Sequence, residues 1–199
     1  MPSKAFKQLH SSLQEIEQTV SLAAGALPAL DQVAMDMVYE GAFLRSIVAF
    51  EGFLETYFVE IVTSDFVPNG HKVNLLASFK DDVVAKSFIN MDRPYAEWLP
   101  YKSTVDRAKR FIEDGLPFAG LPQAEASAIA DALIVRHYIA HSSGYARSRF
   151  AQQFYPTRIS VVPSAAHFLR TPIKLPGKKC KLDGFMSSFI NAAMFLDPL

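Results

Sequence analysis

Arg136 and His141 stand five residues apart in the run Asp131-Ala-Leu-Ile-Val-Arg-His-Tyr-Ile-Ala-His-Ser-Ser-Gly144, near the end of an Ala-rich segment. A guanidinium holds phosphate through a planar fork of charged hydrogen bonds and keeps its proton throughout. An imidazole titrates near neutrality, so it can both take and give a proton. These are the two groups that metal-free RNA cleavage needs. Each also has a plainer reading: Arg136 as one half of an ion pair inside a helical bundle, and His141 as a solvated imidazolium favoured by the dipole of a helix C-terminus.

The element that must position them is a helix near 122–143, with Pro122 suited to its first turn. At about 100° per residue, Ala126, Ile129, Ala130, Leu133, His137 and Ala140 fall on one stripe, the expected core face. Arg136 and His141 flank that stripe, roughly 140° apart around the axis. His137 points into it, either as a hydrogen-bonded core residue or as a support for the catalytic pair. A charged group beside a core stripe is costly without a partner. Glu51 is the natural one. It lies mid-stripe on a second helix expected from about Asp31 to Phe66, sharing a face with Leu44, Ile47, Val48, Leu54, Phe58 and Val62, while Phe43, Phe50 and Tyr57 cover an adjacent face. The alternative is that Glu51 reaches the bundle edge or meets a Lys. Arg45 falls on the polar side. A helix apolar over so much of its circumference is central to a bundle or buried between subunits.

The Arg-x(4)-His spacing resembles the signature of the HEPN superfamily (higher eukaryotes and prokaryotes nucleotide-binding domains). The following Ser-Ser-Gly144 adds to the likeness, as does the upstream helix around Arg45-Ser-Ile-Val-Ala-Phe-Glu51-Gly-Phe-Leu-Glu55. The resemblance covers roughly residues 30–195 and is similar to the ribonuclease-type branch. It implies an all-α bundle that dimerises so that two Arg-His motifs face one cleft, with Arg136 and His141 catalytic and His137 and Glu51 supporting. It further implies an RNA substrate, a role in toxin–antitoxin or anti-phage defence, and control by a regulatory or antitoxin protein. A noncatalytic HEPN-like module for dimerisation or for nucleotide or RNA binding is the rival reading, and an unrelated helical protein with a chance motif is a third.

Past the motif, Tyr145, Arg147, Arg149 and Tyr155 form a short basic and aromatic stretch able to pair phosphates and stack bases, or simply to be solvated. Lys174, Lys178, Lys179 and Lys181 make a second basic run, read as a solvated turn. With 199 residues, half of them hydrophobic and 16 of them Phe, the chain is sized for one domain over 1–199. Twenty basic residues balance 20 acidic ones, so no whole-chain basic footprint for nucleic acid exists, although a local basic cleft is not excluded. The single Cys180 rules out an intrachain disulfide and fits a reducing cytoplasm. No apolar run has membrane-spanning length and the N-terminus lacks a signal-peptide core. His10, His71 and His167 are scattered and no pair has zinc spacing, so neither metal nor cofactor is expected.

The remaining elements follow from periodicity. Phe6, Leu9, Leu13, Ile16 and Val20 predict an N-terminal helix within 1–28, ended by Gly25 and Pro28. Val83–Ile89 suggests a short helix, and Ser103 or Thr104 is a candidate cap for another through Val105, Ala108 and Ile112. Gly115, Pro117 and Gly120 read as a loop. Ile159–Val162 and Phe168–Leu175 read as two strands of a small C-terminal β-hairpin, and Asp183 as the cap of a closing helix. The expected fold class is therefore mainly α.

Overall fold

The computed structural model describes every residue except 27–29, 65–67, 69, 92, 94, 142, 158–160, 175, 176, 178 and 199. Eight α-helices account for most of the described chain: α1 (Lys4–Gly25), α2 (Gln32–Val62), α3 (Asp82–Asn90), α4 (Tyr101–Phe111), α5 (Gln123–Ala140), α6 (Gly144–Phe154), α7 (Ala165–Arg170) and α8 (Lys181–Leu196). Short 3₁₀ turns at Glu113–Gly115 and Phe118–Gly120 join α4 to α5.

The 31-residue α2 is the axis of the molecule. Asp31 caps it, its carboxylate accepting from Ala34 N–H at 2.7 Å. Helices α1, α3, α4, α5, α7 and α8 all pack on it and cover most of its apolar surface, while Val33, Met37 and Val48 stay exposed. Phe43, Phe50, Leu54, Tyr57, Phe58 and Val62 are fully buried there. Phe50 stacks on Phe189 of α8 with ring centres 4.9 Å apart, and Phe58 meets Trp98 and Phe118 at 5.4 and 5.5 Å. Leu133 of α5, partly buried, packs against the same core that holds Leu54 of α2.

The two ends of the chain are clasped together. Ser3 N–H donates to the buried Asp197 carboxylate at 2.8 Å, and Tyr57 OH donates to the carbonyl of Leu196. Ser3 also caps α1 through its hydroxyl. Helix α7 is tied to α2 by Arg170–Asp36 at 2.7 Å and by Glu40, which accepts from Ala166 N–H at 3.3 Å.

Three expectations need correction. The C-terminal hairpin is not formed: among the described residues there is no strand, only isolated bridges such as Pro172 with Cys180. Phe168 lies instead in α7, which Ser164 caps and which buries Ala165, Ala166, Phe168 and Leu169 at helical spacing; Ile159 and Leu175 lie outside the described residues. Helix α4 starts at Tyr101, after Pro100, so Thr104 is a buried first-turn residue whose hydroxyl donates to the Trp98 carbonyl. Asp183 is not the cap of α8 but sits in its first turn, its carboxylate accepting from Cys180 N–H at 3.1 Å and Lys179 N–H at 2.8 Å.

Candidate functional site

Helix α5 is rich in Ala on every side, and this decides how it seats. The core takes Ile129, Ala132 and Val135, a face turned by about 100° from the predicted stripe. His137, expected to point inward, is exposed, as are Ala130 and Ala140. The stripe of Ala126, Ala130, Leu133 and His137 floors an open groove of about 540 Å³ instead, walled by Pro100 and Tyr101 before and in α4 and by Tyr145 and Arg149 of α6.

His141 closes α5 as its C-cap, in extended backbone, with its N–H on the His137 carbonyl at 3.0 Å. Ser143 immediately caps α6, its hydroxyl accepting from Ala146 N–H at 3.2 Å. The result is an elbow between α5 and α6, which pack on each other, with His141 directly after α5. The His137 and His141 rings lie 4.3 Å apart, centre to centre, tilted at 53°. Sequence reasoning that sent His137 into the core missed this pairing; the i, i+4 spacing of the two residues was the signal.

Arg136 faces the other way. Its guanidinium lies 3.6 Å from the Glu51 carboxylate, with the Arg side chain 44% and the Glu side chain 25% exposed. At that distance this is an ion pair, not a hydrogen bond. The expected Glu51–Arg136 partnership is present, but Glu51 stands at the edge of the core stripe rather than in its middle, beside the exposed Val48 and Gly52. Both residues line a second cleft, of about 500 Å³, to which Glu55, paired with Lys86 at 3.2 Å, and Glu97 also contribute. Among the described residues no hydrogen bond, ion pair or ring contact joins Arg136 to His141. Arg45 is exposed, as the helix phase of α2 predicts.

Burial pushes the Glu51 carboxyl above the usual carboxylate range; Arg136 pulls it down and Glu97 adds to the rise. A carboxyl whose pKa is raised by folding contributes stability that is full below its unfolded value, about 4.3, and that is lost as pH climbs through the folded value. Glu51→Gln removes that loss along with a half-exposed ion pair, which is itself worth below about 1 kcal/mol. The stability of Glu51→Gln relative to the parent protein is therefore expected to rise from about pH 4 to about pH 7. Urea midpoints at the two pH values measure it, and an unchanged difference would show that Glu51 titrates as an ordinary carboxylate.

Of the basic and aromatic stretch after the motif, Tyr145, Arg147 and Arg149 lie on α6 and Tyr155 is its C-cap. Tyr145 and Arg149, one turn apart on α6, share the groove side, with Arg149 Nη1 donating to Tyr145 OH at 3.4 Å. Arg147, two residues from each, is exposed about 160° around the helix and away from the groove. Tyr155 packs toward Phe150 and Phe168. In the second basic run Lys181 is occupied, its ammonium 4.3 Å from the Phe168 ring centre; Lys174 and Lys179 are exposed, and Lys178 lies outside the described residues.

Among the described residues no group of three or more His, Cys, Asp and Glu side chains is placed to hold a metal ion, and no helix is long and apolar enough to cross a membrane. His71 is committed to the Phe195 carbonyl at 2.7 Å. No protein-family model, curated protein or solved structure matches this chain.

Proposed function

We propose that the protein is a metal-independent endoribonuclease of HEPN type, working in the cytoplasm as a toxin or anti-phage effector under the control of a regulatory or antitoxin protein. The observation that carries the reading is the exposed imidazole pair at the α5–α6 elbow, His137 and His141 at 4.3 Å, bordered by Tyr145 and Arg149. In the reaction, an imidazole takes the proton of a ribose 2′-hydroxyl as its oxygen bonds to phosphorus. An imidazolium gives a proton to the departing 5′-oxygen as that P–O bond breaks. The products are a 2′,3′-cyclic phosphate and a 5′-hydroxyl, with no redox change and no water consumed. Arg136 turns from Glu51 to stabilise the charge on the phosphorane.

Attack and departure occur on opposite sides of phosphorus, and each proton-transfer group must come within about 3 Å of its oxygen. Two rings already in contact cannot flank one phosphate. A homodimer answers this by bringing His141 of a second copy to the far side, with His137 supporting its own His141. The test is purified protein with total RNA in EDTA: cleavage to 2′,3′-cyclic ends at an undiminished rate is expected, by a species that light scattering reports as a dimer at micromolar concentration. An intact activity from a monomer would remove the two-copy site.

One observation favours a noncatalytic dimerisation or nucleotide-binding module instead. Arg136 is engaged by Glu51 in a cleft with three glutamates, a surrounding that repels phosphate. Absence of cleavage together with retained oligonucleotide binding would select that reading.

A further inference from the structure

The groove over α5 presents a mismatch. Ala126, Ala130 and Leu133 form an apolar floor of core-like composition that stands open to solvent. Its volume, about 540 Å³, falls within the range of small-ligand sites, roughly 300–1,000 Å³. Its rim carries two cations, Lys102 from α4 and Arg149 from α6, with His137 at one end and no carboxylate among the described lining residues. Asp106, one turn along α4, holds Lys102 at 2.5 Å and takes up part of its charge, which leaves Arg149 as the principal cation. Tyr145 is 65% exposed and its ring borders the floor. An apolar floor, an available aromatic ring and a positive rim together match a nucleobase with its phosphate.

We propose that this groove is a base subsite that takes one unstacked nucleotide of single-stranded RNA beside the phosphate at His141. The inference rests on the ribonuclease reading and deepens it. Continuity supports it: His137 lines the groove and its ring touches His141, so a base lying on Leu133 and Ala130 leaves its phosphate at the elbow. A base inside a duplex is stacked on both faces and cannot enter. The subsite therefore selects single strands. It also makes Tyr145 and Arg149, but not Arg147, part of the binding surface.

The experiment is fluorescence anisotropy with labelled 2′-O-methyl oligoadenylate and oligouridylate, whose blocked 2′-oxygen cannot attack. Ala130→Phe fills the groove from an exposed position, and Tyr145→Ala removes the stacking ring from another. Each is expected to weaken binding about tenfold, while Arg147→Ala, on the far side of α6, binds within about twofold of the parent protein. Duplex RNA of the same sequence should not compete. Parent-like affinity in both groove variants would overturn the subsite even if the protein cleaves RNA. Conversely, groove-dependent binding without cleavage would sink the catalytic reading and leave the subsite standing. AMP displacing the strand at equal concentration would reassign the groove to free nucleotides. Loss of a dimer in Ala130→Phe with strand binding unchanged would make it a self-association surface. Either result overturns the proposal.

Discussion

His141→Ala is expected to lower RNA cleavage by about 10²–10⁴-fold, the usual contribution of a general acid–base group, with the melting temperature unchanged. The second half follows from where the residue stands. His141 is an exposed helix C-cap; Ala retains its backbone bond to α5, and the ring contact that is lost joins two exposed side chains. Arg136→Ala should be comparably inactive, and Arg136→Lys should not rescue it, because an ammonium cannot reproduce the two-pronged contact of a guanidinium. His137→Ala should be milder, because a partner copy supplies the second imidazole and His137 only supports its own His141. EDTA should leave every rate unchanged. A cleavage rate in His141→Ala equal to that of the parent protein would place any nuclease activity elsewhere, and the noncatalytic reading would take its place.

How much of this was legible in the sequence depended on how unequal the faces of each helix are. In α1 the spacing of Phe6, Leu9, Leu13, Ile16 and Val20 leaves one apolar side, and those residues are the ones buried. Helix α2 was legible as a central element because apolar residues surround it, and it is central. Helix α5 was legible as a helix but not in phase. Its Ala residues are small enough to face core or solvent at little cost, so the branched and bulkier Ile129 and Val135 decide the seating. That seating turned His137 outward and opened the groove. The Glu51–Arg136 pairing survived the rotation because Arg136 lies close to the true core face. Beyond Gly144 the runs Ile159–Val162 and Phe168–Leu175 suggested strands, yet Ser164 starts a helix whose Phe168 joins the aromatic cluster of Phe150 and Phe154. Local propensity lost to that long-range packing.

That cluster carries the last prediction. Phe150 of α6 is fully buried. Its ring stacks on Tyr138 of α5 at 4.3 Å and meets Phe168 of α7 edge-on at 5.1 Å, with Phe154 at 5.1 Å. It pins α6 to α5 immediately after the elbow, and so fixes the angle at which Tyr145 and Arg149 approach His137. Phe150→Ala leaves a cavity among aromatic rings that cannot close without moving helices, and should cost about 3–5 kcal/mol. For a chain of this length that lowers the melting temperature by roughly 6–20 °C. Phe150→Leu keeps most of the volume and should cost less than half as much. Well below its melting point, the Ala variant should also cleave RNA more slowly, because a loosened elbow misplaces His141; the Leu variant should keep most of the rate. Thermal melts by circular dichroism, paired with rates measured at low temperature, separate the two effects. A Phe150→Ala melt within about 2 °C of the parent protein's, less than the shift 1 kcal/mol would produce, would mean that the α5–α6 angle is set by something other than this ring. The groove would then need another support, and the Tyr138 hydroxyl, which donates to the Pro163 carbonyl at 3.1 Å, is the contact to remove next.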